Sequence, residues 1–145
     1  MIKTFRGLLN DLQQERIRLE HIDGKTGYRI KKFQLISDKP GIAGAAEAIC
    51  KVYSIKQTVV DGLIDFSEQT LLAVATFSSS TDSWFSYDSA IFDGVTFNQD
   101  IFVTFKDEQA NIKGNYYLEL EQIALDDVEA TAVILKNFRN TNTVA

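Results

Sequence analysis

Asn115-Tyr116-Tyr117-Leu118-Glu119-Leu120 is the stretch that decides the fold. Tyr116, Leu118 and Leu120 fall on one side of an extended chain, Tyr117 and Glu119 on the other. A period of two places successive side chains on opposite faces of a sheet. The reading predicts Tyr116, Leu118 and Leu120 in a core and Tyr117 and Glu119 outside it.

Working outward, similar segments fill almost the whole chain. They occur at Arg16–Leu19, Tyr28–Ile36, Ala48–Ile55, Leu71–Phe77 and Ile101–Phe105, with Asn115–Leu125 and Ala130–Phe138 closing the domain. Leu71–Phe77 is apolar at nearly every position, as expected of a central strand covered on both sides. The phase of Tyr28–Ile36 changes between Ile30 and Phe33, which predicts a β-bulge near Lys31-Lys32. Asp23-Gly24 is a turn signal of the tight hairpin kind. Lys56–Thr70 is irregular, and Ser78–Ser83 is the most loop-like segment.

The expected fold is all-β: an antiparallel two-sheet β-sandwich, jelly-roll-like, of about eight strands. Helix is expected to be limited to a turn or two. The whole 1–145 chain reads as one domain. Met1–Leu12 is a leading strand or arm, and 140–145 a polar tail expected to fray.

Composition supports a folded globule and narrows its chemistry. With 145 residues, 45% hydrophobic and 11% aromatic, the chain can bury a core without staples. Ten Phe and five Tyr suit half-buried pleated surfaces. The formal net charge of −5 and the absence of a basic run longer than Lys31-Lys32 argue against nucleic acid as a partner. No hydrophobic stretch has the length of a membrane span, and no signal peptide is expected at Met1–Arg6. Cys50 is the single cysteine. Its apolar setting predicts a buried, unpaired thiol.

No catalytic constellation stands out. His21 is the single histidine, so a triad or a His-based metal site would have to use it. It is read instead as a polar residue at a strand end. The acidic groups Asp126-Asp127-Val128-Glu129, Asp61 with Asp65, and Asp107-Glu108 match no defined cation loop and are read as solvated turns. Glycine-rich phosphate loops are missing. The expectation is a protein that is not an enzyme, with no catalytic, cofactor or metal residues.

Trp84-Phe85-Ser86-Tyr87 is the one segment with the look of recognition. Aromatics behind a serine-rich loop can stack on sugar rings or anchor a protein interface. The plainer reading, which is preferred, folds Trp84 or Phe85 inward to plug one end of the sandwich. Tyr117 is the second candidate, because its outward phase offers it to a cross-strand neighbour or another subunit. Trp84, Phe85, Tyr87 and Tyr117 are therefore the candidate contact residues.

Two stretches carry a resemblance. One is Thr4-Phe5-Arg6-Gly7-Leu8-Leu9 with Arg16-Ile17-Arg18-Leu19 and Gly27–Phe33. The other is Phe97-Asn98-Gln99-Asp100-Ile101-Phe102-Val103 with Asn115–Glu121 and Leu135-Lys136-Asn137-Phe138-Arg139. Together they resemble small β-sandwich structural proteins from the virions of tailed bacteriophages, notably those of aquatic hosts such as cyanobacteria. The resemblance implies a virion component assembled in the host cytoplasm, with no cofactor. A capsid decoration or cement protein is the first expectation. Its partners would be other virion proteins, chiefly the major capsid protein, and further copies of itself in a homo-oligomer. The alternative is a carbohydrate- or receptor-binding β-sandwich centred on Trp84 and Tyr87, with a phage tail as one location for it. A hydrolase using an unrecognised carboxylate pair ranks behind both.

Overall fold

The computed structural model describes residues 1–40, 44–80, 85–92 and 94–143, with side chains as far as 136. Eight strands and one helix follow in order: β1 (Ile2–Leu9), β2 (Gln14–Ile17), β3 (Thr26–Ser37), β4 (Ala46–Tyr53), β5 (Leu71–Ser79), β6 (Phe85–Ile91), β7 (Ile101–Asp107), β8 (Gly114–Ala124) and α1 (Asp127–Thr143). Sheet one has the order β1-β8-β3 and sheet two the order β2-β7-β4-β5-β6. All their pairings are antiparallel.

The pairing is nested. β1 pairs with β8, β2 with β7 and β4 with β5, as if one long hairpin had been folded over itself. That is the jelly-roll pattern. Its remaining pair, β3 with β6, lies side by side without a ladder, because β6 is bonded to β5 alone.

β8 is the central strand of sheet one and keeps its predicted phase. Tyr116, Leu118 and Leu120 are buried, while Tyr117 and Glu119 lie half exposed on the outer face. The predicted bulge is present: the β3–β8 register shifts between Ile30 and Lys32, so Lys31 and Lys32 both point outward. β5 is buried along most of its length, as a central strand should be. Cys50 is fully buried and unpaired, and desolvation pushes its thiol pKa far up.

Four expectations are corrected. Ala130–Phe138 is not a closing strand but part of α1, a helix of 17 residues and so longer than the expected turn or two. Its start is a capping box. The Glu129 amide donates to Asp126 Oδ1 at 2.7 Å, and the Asp126 amide donates back to Glu129 Oε1 at 3.4 Å. Asp127 and Glu129 in the first turn favour the helix dipole. Residues 140–143 continue this helix, and 144–145 lie outside the described residues.

Of the two readings of Met1–Leu12 the strand holds and the arm does not, since β1 is laddered to β8 over its whole length. Asp23-Gly24 does make a tight turn, with Gly24 at φ 66° and the Lys25 amide donating to Asp23 Oδ1 at 3.0 Å. It joins strands of different sheets, however, and so is a crossing and not a hairpin.

The fourth correction concerns the acidic turns. Asp107 is fully buried at the end of β7. Its Oδ1 accepts from the amides of Glu47 and Gln109, both at 3.0 Å, and its Oδ2 from those of Asn111 at 2.8 Å and Ile112 at 2.9 Å. Asp61 is not simply solvated either. It pairs at 3.0 Å with Lys51, a lysine only 2% exposed on the outer face of sheet two. Lys51 Nζ also donates to the Leu63 carbonyl at 2.6 Å. This buried cation holds the irregular 54–70 segment against the outer face of sheet two.

At the other end of β7, Asp100 staples the β2–β3 connector. It accepts from the Leu19 and Glu20 amides at 2.7 and 3.0 Å and from Arg16 at 2.6 Å. Burial pushes its carboxyl pKa up, but the two amides and the guanidinium more than offset this and leave it below the usual value.

Two predictions follow from this packing. Leu118→Ala should cost about 2–5 kcal/mol, whereas Glu119→Ala should stay within about 0.5–1 kcal/mol; equal shifts in urea melts would mean the phase of β8 is wrong. Asp100 has a depressed folded pKa. Its contribution to stability is therefore present above the unfolded value of about 4 and is lost as pH falls through the folded value. Asp100→Asn should be clearly less stable than wild type at neutral pH, and the gap should narrow in melts run below about pH 4. A gap of constant size across that range would contradict the assignment.

Candidate interaction surface

β6 is built differently from every other strand of sheet two. Its residues from Phe85 to Ser89 are exposed on both faces. The register explains why. Phe77 lies opposite Tyr87, and Ser79 opposite Phe85, so Phe85 and Tyr87 share the inward phase of the buried Phe77. Sheet one, however, ends at β3. The inward side chains of β6 therefore overhang the end of the sandwich.

Phe85 is 57% exposed and Tyr87 43% exposed. Phe77 and Tyr87 have ring centroids 4.8 Å apart, and Phe85 and Tyr87 5.9 Å apart in an edge-on arrangement. Phe77 thus roots two exposed rings in the core and limits their freedom. Preordered aromatic side chains lose little entropy on contact, which is what an anchor requires.

An open groove of about 550 Å³ runs between the facing edges of β3 and β6. Phe33, Leu35 and Ile36 come from β3, and Tyr87, Asp88 and Ser89 from β6. Natural edge strands are usually blunted by Lys, Pro or a bulge. β6 carries no Lys, Arg or Pro, and its ladder with β5 is regular. Asp88 is its single charge, and its Oδ1 accepts from the Ser89 amide at 2.9 Å.

The expectation that Phe85 plugs the sandwich is not met, because Phe85 is mostly in solvent. Trp84 lies outside the described residues. Tyr117 is not part of this surface: it sits on the outer face of sheet one, between Arg6 and Gln34. Its hydroxyl donates to Glu119 Oε2 at 2.7 Å, and that bond raises the phenol pKa. His21 is exposed, with a ring nitrogen 3.0 Å from the Tyr28 hydroxyl.

A second exposed feature escaped sequence reading. The 54–70 segment presents Val59, Leu63, Ile64 and Phe66 to solvent, with Leu63 75% exposed. Its anchor could not be read locally, since Lys51 and Asp61 are ten residues apart and joined by no short-range pattern. Among the described residues, no group of three or more His, Cys, Asp or Glu side chains is placed to hold a metal ion. Among them, too, no helix is long and apolar enough to cross a membrane. The surfaces present offer apolar and backbone contacts, which is the chemistry of association.

Comparison with known proteins adds little to this geometry. No family model matches the chain, and no curated protein does. A solved chain described as "Bacillus endospore appendages form a novel family of disulfide-linked pili" aligns over 86% of this chain and 89% of its own, with 12% identity and a TM-score of 0.34. A likeness that faint carries no argument about fold or function.

Proposed function

We propose that this chain is a structural protein of a tailed-bacteriophage particle, a capsid decoration or cement protein that works by protein–protein assembly. The observation that carries the reading is β6: a regular edge strand, exposed on both faces, with two rooted aromatic rings beside an open groove. Contiguous exposed apolar surface on an otherwise well-packed domain marks a contact site. The resemblance to virion proteins supplies the setting, and jelly-roll sandwiches are among the architectures that capsids use.

The major capsid protein is the partner proposed for the β6 surface. On a particle, each weak contact is repeated over a symmetric lattice, and avidity makes the sum strong. A single modest anchor per copy is then sufficient. No proton transfer or bound cofactor is needed for such a role.

Gradient-purified particles of the phage that encodes this chain should contain it in many copies, as read by mass spectrometry. Purified protein should co-sediment with particles stripped of it. Phe85→Ser with Tyr87→Ser should abolish co-sedimentation while leaving the urea midpoint close to wild type, and Glu119→Ala should bind normally. Absence from particles, or binding indifferent to Phe85 and Tyr87, would contradict the proposal. Saturable binding to a glycan that requires Tyr87, with no particle association, would establish the recognition-module alternative instead.

A further inference from the structure

We infer that copies of this chain bind one another front to back, the basic outer face of sheet one in one copy docking on the acidic, loop-covered outer face of sheet two in the next. The inference rests on the assembly reading above and gives it a second partner, through charged residues that lie outside the groove holding Tyr87, although Ile36 borders both surfaces.

The front is defined by register. Leu8, Asn115 and Ile36 form one row across β1, β8 and β3; Arg6, Tyr117 and Gln34 form the next. Thr4, Glu119 and Lys32 form the third. This face carries two carboxylates against the cations Arg6, Lys31 and Lys32. Glu121 pairs with Lys31 at 3.0 Å, and Glu119 accepts from Tyr117 at 2.7 Å. Arg6 and Lys32 are exposed and have no ion-pair partner among the described residues. The front therefore carries surplus positive charge on a chain whose net charge is −5.

The back has the opposite character. A groove of about 550 Å³ lies between sheet two and the 54–70 segment, and Glu47, Glu108, Leu63 and Ile64 help to line it. Asp61 there is neutralised by the buried Lys51. Glu47 and Glu108 are exposed and have no ion-pair partner among the described residues.

Each face thus combines a surplus of charge of one sign with exposed aliphatic side chains: Leu8 and Ile36 in front, Leu63 and Ile64 behind. Apolar contact supplies affinity, and opposite charges set orientation and suppress front-to-front or back-to-back pairing. The two faces lie on opposite sides of the sandwich, so one contact leaves each copy able to make another. Such heterologous contacts close into rings or run on as rows.

Sedimentation velocity tests this with four charge reversals. Wild-type protein should self-associate with rising concentration, and less so as salt is raised from about 0.02 to about 0.5 M. Arg6→Glu with Lys32→Glu, and separately Glu47→Lys with Glu108→Lys, should each weaken self-association roughly tenfold or more. Mixing the two double variants should restore association, because one is then negative on both faces and the other positive on both. Should a double variant fail to match the wild-type urea midpoint, Lys32→Ser and Glu108→Gln replace it, each with a smaller loss expected.

Monodisperse monomers at every salt and concentration would overturn the inference. So would reversals without effect, a mixture that stays dissociated, or association that appears only when a polyanion is added. Wild-type protein that binds particles through Phe85 and Tyr87 but never self-associates would remove this inference alone. The opposite pattern would remove the capsid reading and leave this one standing.

Discussion

The structure depends on one buried carboxylate. A jelly roll carries its chain from one sheet to the other again and again, and at each crossing backbone amides leave their ladders. A buried amide without an acceptor costs about 1–3 kcal/mol. Asp107, itself fully buried, accepts from four amides at once: one from the start of β4 and three from the turn that launches β8, of which that of Ile112 is buried. Its own amide donates to Asp11 at 2.9 Å, which ties in the β1–β2 connector as well. One side chain thereby fixes where β8 begins. β8 in turn sets the register of both β1 and β3. Asp100 performs the same service at the far end of β7, and Lys51 does so for the 54–70 segment.

These three residues also mark the limit of what could be read beforehand. The phase of Tyr116–Leu120, the bulge at Lys31-Lys32 and the burial of Cys50 were legible because each is a local pattern that the pleat imposes. Asp107 was not, because its burial and the tie to β4 depend on a strand sixty residues away, although three of its four amides are local. In the sequence it stands beside Glu108 and looks like any solvated turn. Lys51 sits at an outward position of an apolar strand, and only the fold brings Asp61 over it.

Helix α1 was legible in principle. Asp126 and Glu129 have capping-box spacing, and Ala130, Val133 and Ile134 follow at helical intervals. The β-branched residues Thr131 and Val133 alternate over the same stretch, so the segment carries a strand period as well. Of the candidate contact residues, Phe85 and Tyr87 come together on β6, as their spacing of two on a strand requires. Their exposure was not predictable, because it follows from sheet one stopping at β3.

The functional account therefore lives on what the fold leaves unsatisfied. Among the described residues its core is packed and the crossings at Asp100 and Asp107 are bonded, while β6 and the two outer faces are left with exposed apolar groups and unpaired charge. Zero-length carbodiimide coupling in a mixture of isotopically heavy and light protein tests copy-to-copy contact. Coupling joins a lysine amine to a carboxylate only where the two touch. Within-chain products at Lys31–Glu121 and Lys25–Asp127, which are ion-paired at 3.0 and 2.9 Å, serve as internal standards. Mixed heavy–light peptides should join Lys32 of one copy to Glu47 or Glu108 of another. Complete formation of the within-chain products, with no mixed peptide at those carboxylates, would contradict it.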